Sequence, residues 1–509
     1  MEKRQIINII NFIRDYEPRV EVDLVTPVVK QIELMRKHGL PGTFLLQYDA
    51  LCDPVYTDML RELDPSQFEI GAWFEIVQGQ CEDAGVPWKG RWAWDWYPSS
   101  AFSVGYTKDQ RERLADTYFS KFWEVFGRYP RVLGAWFYDT HTIRYITSKY
   151  GLDALCNCKE QYGTDGYTLW GGYYGQGYYP SSRNVFIPSQ DERDLIKVPV
   201  FRMLGSDPVY QYDFGLDPES GAEKVQDVIS LEPVYTEAGG GNPQWVDWYL
   251  KENFNGRCLS FGYAQTGQEN SFGWEKMGGG LTYQLEKIAG MRDAGQISVE
   301  KLGDTGRWYT KTFSDTPASA ICAETAYDDD DVSSVWYCSK RFRINLFYRH
   351  GIMRIRDLHV FSPVPEDPYE DKVCTGSDSA YESLPVLDGN RHTGKGILGG
   401  ALIGDEEKKP ILCEKPIFSD TGRGKAELDC GPFIIKLSEE GVAITSDRDF
   451  RLIWDCGTRD HIPEILSMTG KHARLRYMGV RYSVDFEKGF FGNDRQVLSE
   501  NGRISFSFS

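Results

Sequence analysis

The sequence has no excess of positive charge: 57 lysines and arginines face 75 aspartates and glutamates, a net charge of −18 at pH 7. Nucleic acids and anionic membrane surfaces need a basic face, so neither is an expected partner, whereas a neutral substrate is compatible with this balance. Long hydrophobic runs are also missing, since no window approaches the ~18–20 apolar residues of a membrane span. Histidine is scarce, with seven in all and none between His38 and His141. The eleven cysteines follow no framework spacing, and reduced, buried thiols are expected. Cys156-Asn157-Cys158 has the wrong spacing for a zinc knuckle and reads as alternate residues of a buried strand. No glycine-rich phosphate loop follows the first strand-like run, which argues against an open nucleotide-binding sheet.

What is present points to a globular chain of more than one domain. The 509 residues exceed what one ordinary core organises, and 41% hydrophobic with 26% charged residues is a globular balance. The N-terminal run Ile6-Ile7-Asn8-Ile9-Ile10-Asn11-Phe12 is interrupted by two asparagines and followed by no small-residue cleavage site. It reads as a first strand and not as a signal peptide, so the expected location is cytoplasmic.

Strand-like and helix-like runs alternate up to about residue 290. The strand candidates are 6–12, 42–47, 68–75, 132–138, 154–158, 198–204 and 257–264, with helical patterns over 25–38, 108–126, 141–149 and 277–294. Gly39, Gly127, Gly151 and Gly295 stand as helix stops. Near-continuous apolar strands joined by helices imply parallel pairing with both faces covered. Seven such units predict an α/β fold, a (β/α)7-type barrel over residues 1–296. Beyond 296 the runs become short and β-rich, among them 307–313, 335–338, 342–348, 351–360, 433–437, 450–454, 473–478 and 480–486. That texture predicts a β-sandwich-like domain over 297–509, whose exposed surface has room for a homo-oligomer interface. The run Asp328-Asp329-Asp330-Asp331 reads as a solvated loop, because its spacing is not that of a calcium loop.

Eleven of the fourteen tryptophans precede residue 275, and aromatics crowd two long loops. Loop 79–105 carries Trp88, Trp92, Trp94 and Trp96; loop 159–184 carries Tyr162, Tyr167, Trp170, Tyr173, Tyr174, Tyr178 and Tyr179. Loops of this length usually cover a site, and these are expected to stack on a sugar; the competing account is a lid packed on itself.

In a parallel barrel, side chains at the strands' C-terminal ends meet the substrate. Read in that way, the ends give a ring of carboxylates, amides and aromatics suited to hydroxyl groups. Asp139, Glu269 and Glu75 are the candidate catalytic residues. The expected substrate-binding set is Arg14, Asp15, Gln47, Trp73, Gln78, Trp136, His141, Asn157, Gln161, Asp165, Tyr167, Arg202, Gln268 and Trp274. Glycoside cleavage needs one ionised carboxylate and one held protonated by apolar surroundings. Asp139, beside Thr140 and His141, fits the ionised role; Glu269, near Phe272 and Trp274, fits the proton donor. Asp139 is equally placed to cap the helix that begins near His141.

The segment Gly134-Ala135-Trp136-Phe137-Tyr138-Asp139-Thr140-His141 resembles the fourth-strand nucleophile segment of family-57 and family-38 glycoside hydrolases. Glu269 is similar in position to the family-57 acid, which is an aspartate there. Phe68-Glu69-Ile70-Gly71 resembles the third-strand segment of polysaccharide deacetylases, which share the incomplete barrel. The resemblance covers roughly the first 290 residues, and the trailing β-rich domain is similar to the family-38 layout. It implies a carbohydrate-active hydrolase. The deacetylase metal cage, an Asp-Asp pair after strand one and a His-x-x-x-His pair after strand three, is replaced here by Ile13-Arg14-Asp15 and Phe74-Glu75-Ile76-Val77-Gln78. Metal-independent glycosidase chemistry with no cofactor is therefore expected. The alternatives are a deacetylase relative with a divalent metal at Asp15, Glu75, Asp139 and His141, or a sugar-binding protein without catalysis.

Overall fold

The computed structural model describes residues 3–214, 226–390, 400–455, 463–492, 494 and 496–509. Seven parallel strands form one curled sheet: β1 (Gln5–Ile13), β2 (Gly42–Leu46), β3 (Phe68–Trp73), β4 (Val132–Gly134), β5 (Ala154–Asn157), β6 (Val200–Arg202) and β7 (Gly262–Thr266). Their order is β7-β1-β2-β3-β4-β5-β6, so β1 lies between the last strand and the second. The sheet curls without closing, because β6 and β7 are not paired among the described residues. The alternation of runs predicts the seven-unit barrel, and its incompleteness is what the family resemblance implies. Every residue of β1 after Gln5 is buried, as a strand covered on both faces requires.

Helices cover the outside. Helix α1 (Val25–His38) ends at Gly39, whose φ of 59° suits glycine and lets its N–H close on Met35 and Arg36 carbonyls. Helix α2 (Lys108–Phe126) begins with a capping box between Thr107 and Gln110. Helices α3 (Thr140–Lys149) and α4 (Trp274–Asp293) complete the predicted set.

Barrel elements continue past residue 296. Strand β8 (Ser298–Glu300) pairs in parallel with β1, Ile6 opposite Ser298. The run 307–313, expected as a strand, lies instead within and just beyond helix α5 (Leu302–Thr312). The buried residues Leu302, Thr305, Gly306 and Tyr309 recur at helical spacing, and that face packs on the barrel. A Cβ at Gly306 would come within 2.1 Å of the Asp153 carbonyl, so only glycine permits this approach.

The two large sheets of the rest are antiparallel. One sheet contains Ser319–Ala323, Val332–Cys338, Phe342–Arg349, Ile352–Val360, Gly400–Gly404 and Arg451–Asp455. A second, eight-stranded sheet runs from Ile417–Gly422 to Arg503–Phe508. The first sheet is buried on both faces. Val335, Tyr337 and Leu346 join the core shared with the second sheet, while Trp336, Cys338 and Phe347 join the barrel core. Alternation along one strand thus serves two cores.

Cys456 lies outside the described residues; the other cysteines are free thiols, buried except for Cys52 and Cys413. No helix among the described residues is long and apolar enough to cross a membrane.

Candidate active site at the mouth of the barrel

Arg14 is the first residue beyond β1, and its backbone is fixed by Asn270, just past β7. Arg14 N–H donates to Asn270 Oδ1 at 2.9 Å, and Asn270 Nδ2 returns a bond to the Arg14 carbonyl at 2.8 Å. The guanidinium, 2% exposed, meets Glu75 Oε2 at 3.0 Å and Glu269 Oε2 at 3.1 Å through the same nitrogen, Nη2. Glu17 approaches Nη1 at 4.0 Å, and the Trp94 ring lies 4.0 Å beneath the guanidinium carbon. Burial alone would lower the basicity of Arg14, but the charges of Glu269 and Glu75 outweigh it and hold its pKa above the usual value.

Glu75 is the better hydrogen-bonded of the two acids. Its Oε2 also accepts from Trp73 Nε1 at 2.9 Å and Gln47 Nε2 at 3.2 Å. Even so, burial pushes its pKa up further than Arg14 and Trp73 pull it down. Glu269, 3% exposed, is also raised, by burial first and by the charge of Glu75, against Arg14. Two acids on one guanidinium outnumber it, so the cluster favours holding a proton. Phe12 stacks on Trp73 at 4.0 Å, and Trp136 meets both edge-on at 5.3 Å, forming an aromatic wall.

Several buried polar atoms here lack any hydrogen bond: Arg14 Nε and Nη1, Trp94 Nε1, Gln47 Oε1 and Gln268 Oε1. Such atoms are rare in folded proteins, and these belong to residues at the strand ends or, for Trp94, packed beneath one of them.

The structure brings together Arg14, Glu75, Glu269, Gln47, Gln268, Trp73 and Trp136 from the expected ring. Asp165 stands at its outer edge, exposed, 3.8 Å from Arg19. The expected pairing of Asp139 with Glu269 is corrected. Asp139 is fully buried, pairs with Arg111 Nη1 at 2.9 Å, and caps α3 by accepting from Thr142 N–H at 2.9 Å and Thr142 Oγ1 at 2.6 Å. It is the helix cap that its position before Thr140 allows. His141 turns to Glu112 at 3.0 Å, Gln78 to Glu82 at 2.8 Å, and Asp15 to Asp53 and Tyr56. Gln161 bonds Cys158 Sγ and Tyr167 OH, and Arg202 donates to the carbonyls of Cys158 and Tyr173. Asn157 lies against Tyr178, and Trp274 opens α4 against Gly278. These residues have structural partners that draw them away from Arg14.

The two aromatic loops differ. Loop 79–105 sends Trp94 under Arg14 and leaves Trp92, 38% exposed, stacked on Trp96 at 5.4 Å. Loop 159–184 is not the sugar-stacking lid expected. Its rings are buried except for the half-buried Tyr162, Tyr167–Trp170 adds a parallel strand to Ser379–Glu382, and Trp170 Nε1 and Tyr173 OH bond Asp388 and Ser319. The loop fastens the barrel to the antiparallel domain.

The expectation that no cofactor is involved is also corrected. Asp357, His359 and Asp388 are buried with ligand atoms within 4.8 Å of one another, a set that could hold a metal ion. His359 Nε2 lies 3.1 Å from Asp388 Oδ2 and 3.4 Å from Asp357 Oδ2, while its Nδ1 is oriented by Ser383 Oγ at 3.0 Å. One imidazole and two carboxylates suit a divalent cation by type, and an oriented second ring nitrogen is the usual support. The carboxylates are shared with Arg343, at 2.8 and 2.9 Å, and with Trp170 Nε1 at 2.7 Å. The metal set considered at Asp15, Glu75, Asp139 and His141 does not assemble, because each of those side chains has a different partner. Asp357-Leu358-His359, alternate residues of one strand, was the sequence signal for the observed set. Glu232, between β6 and β7, carried no such signal.

No family model matches the chain, and no curated protein does. Among solved structures, one from Parabacteroides distasonis, described as a "putative glycoside hydrolase/deacetylase", aligns with a TM-score of 0.52 at 15% identity, covering 75% of this chain and 91% of that one. A "probable Polysaccharide deacetylase" from Pseudomonas aeruginosa PAO1 aligns at 0.36, with 11% identity over 61% of this chain and 93% of that one. Puue allantoinase aligns at 0.35, with 13% identity over 61% and 92%. The chain therefore shares a fold with the Parabacteroides protein over three-quarters of its length.

Proposed function

We propose that the protein is a hydrolase that acts on a carbohydrate at the barrel mouth, removing an acyl substituent from a sugar. One observation carries the reading: Glu75 and Glu269 share Arg14 Nη2 while Arg14 Nε and Nη1 are left to donate. Acyl transfer to water needs a base for the water, donors for the carbonyl oxygen and an acid for the leaving group. Glu75, with three donors on its carboxylate, is the ionised base. The free Arg14 N–H groups meet the oxygen on which charge develops. Glu269, raised by burial and by the negative charge of Glu75, is the acid that protonates the departing amine or hydroxyl. The acyl group leaves as its carboxylic acid. The aromatic wall of Phe12, Trp73 and Trp136 suits a sugar ring. A cation at Asp357, His359 and Asp388 would supply fixed positive charge in the antiparallel domain.

Glycosidic cleavage is the second reading, favoured by the carboxylate spacing. Two oxygens within 3.0 and 3.1 Å of one nitrogen cannot lie more than about 6 Å apart. That suits the ~5–5.5 Å carboxyl separation of retaining enzymes better than the ~6.5–9.5 Å of inverting ones. The test is product analysis on N- and O-acetylated oligosaccharides and aryl glycosides, with chelator controls. Acetate release lost in Glu75→Gln and Glu269→Gln supports the first reading. Release of a reducing sugar supports the second, and binding without turnover across the panel overturns both.

A further inference from the structure

Behind Gln268 lies a carboxyl that the proposed reaction does not use. Glu232, between β6 and β7, is 6% exposed. Its Oε2 accepts from Ser230 Oγ at 2.9 Å, and its Oε1 from Gln268 Nε2 at 3.4 Å. Gln268 is the residue immediately before Glu269. Among the described residues no lysine, arginine or histidine forms an ion pair with Glu232, in contrast to Glu75 and Glu269.

The carboxyl borders a recess of about 20 Å³ lined by Phe12, Met203, Leu204, Leu231, Gln265 and Gln268, among others. Space of that size takes about one water. Two acceptors at the recess, Gln265 Oε1 and Gln268 Oε1, have no hydrogen bond, and the hydroxyl of Thr266 is already donated to Gln284. The recess is thus rich in acceptors and short of donors. Of the side chains lining it, Glu232 alone gains a donor by taking up a proton.

We infer that Glu232 is a third carboxyl of the barrel mouth, a positioning residue that holds a proton and, through Gln268, sets the placement of Glu269. The inference rests on the reading of Glu269 as the acid. The groups facing Glu232 agree with it. Asp165 from the β-hairpin of loop 159–184 adds like charge, as does Glu269 from the segment after β7 once it has given up its proton; Ser230 and Gln268 offer neutral bonds. Cys158 beyond β5, Tyr167 in that hairpin and Tyr235 in the loop after Glu232 also feel its charge, and none of these three is cationic. Burial, opposed by the Ser230 and Gln268 bonds and aided by Glu269 and Asp165, pushes the Glu232 carboxyl up to about 7. Above that pH its proton passes to solvent, the recess loses its donor, and a negative charge appears beside Gln268 and Glu269.

The test compares Glu232→Ala and Glu232→Gln with the wild type. Turnover of the wild type should fall on the alkaline side of about pH 7, and in Glu232→Gln, whose amide remains a neutral donor, that limb should move, leaving only the loss set by Glu269. Glu232→Ala should lower kcat at least tenfold with little change in KM, and Glu232→Gln should recover most of that loss. An infrared titration without substrate keeps this separate from the proposed reaction. Wild type minus Glu232→Gln should contain a protonated-carboxyl carbonyl band at pH 6 that is gone at pH 9. Absence of that band overturns the inference even if the enzyme is active. An unchanged alkaline limb in Glu232→Gln overturns it as well. If the band is present and no sugar is turned over, the proton-holding role stands and the reaction assigned to Glu269 falls.

Discussion

Glu75 and Glu269 reach the same nitrogen of Arg14, at 3.0 and 3.1 Å, from strands on opposite sides of β1. The sharing makes the three residues unequal in stability. Arg14→Met leaves two buried carboxylates facing each other without a counter-charge, and removing one partner of a buried pair costs about 3–5 kcal/mol. Glu75→Gln leaves Glu269 to pair with the guanidinium and relieves like-charge repulsion, so it should cost clearly less. Both should lower turnover by about 10²-fold or more, the scale of general acid–base catalysis. Urea denaturation beside kcat checks the ordering; equal stability losses would mean that the acids do not share the cation in solution.

Asp139 should behave in the opposite way. It caps α3 and is the buried counter-charge of Arg111, itself 1% exposed. Losing a cap costs about 1 kcal/mol, and an unpaired buried arginine costs several more. Asp139→Ala should therefore lower stability by about 3 kcal/mol or more, while the folded fraction keeps kcat within a few-fold. A hundredfold loss of kcat in fully folded protein would return Asp139 to the reaction.

The contrast shows what the sequence carried. Strand ends were legible because apolar runs stop where the barrel mouth begins, and Arg14, Glu75 and Glu269 follow β1, β3 and β7. Direction was not legible. Asp139 also follows a strand end, but Thr142 in the first turn of α3 and Arg111 on α2 claim it, and Arg111 lies far from it in sequence. The aromatic loop 159–184 misled for a related reason: tyrosines among glycines serve a sugar cleft and a domain joint equally well. Residues 307–313 read as a strand because Trp308, Tyr309 and Phe313 are good strand formers, yet contact with the barrel selected a helix.

The Asp357–His359–Asp388 set gives a direct measurement. Protein stripped with chelator and reloaded should retain about one divalent cation per chain by elemental analysis, and His359→Ala should retain none. Loading should raise the melting temperature of the wild type alone, because a ligand that binds only the folded state stabilises it by mass action. Equal metal content in wild type and His359→Ala would mean that Arg343 and Trp170 already satisfy these carboxylates fully.

Asp367 supplies a pH dependence whose sign is fixed. It is 4% exposed and accepts from Thr140 N–H at 2.8 Å, Thr140 Oγ1 at 2.7 Å and Tyr369 N–H at 2.7 Å. Burial, with the charge of Asp139 added, outweighs those bonds and pushes its carboxyl up to about 6. An unfolded aspartate titrates near ~3.9. Between those values the folded chain binds the proton that the unfolded chain has lost, so stability falls as pH rises. The contribution is complete below about pH 4 and is lost as pH passes about 6. Asp367→Asn is neutral at every pH and should abolish it. The stability difference, wild type minus variant, should therefore shrink by about 2 kcal/mol between pH 4 and pH 7, most of the free energy that separates a carboxyl titrating near ~3.9 from one titrating at about 6. Because other carboxylates titrate alike in both proteins, the difference isolates this group. A difference that grows with pH would mean that Arg111, and not burial, governs the acids at the start of α3.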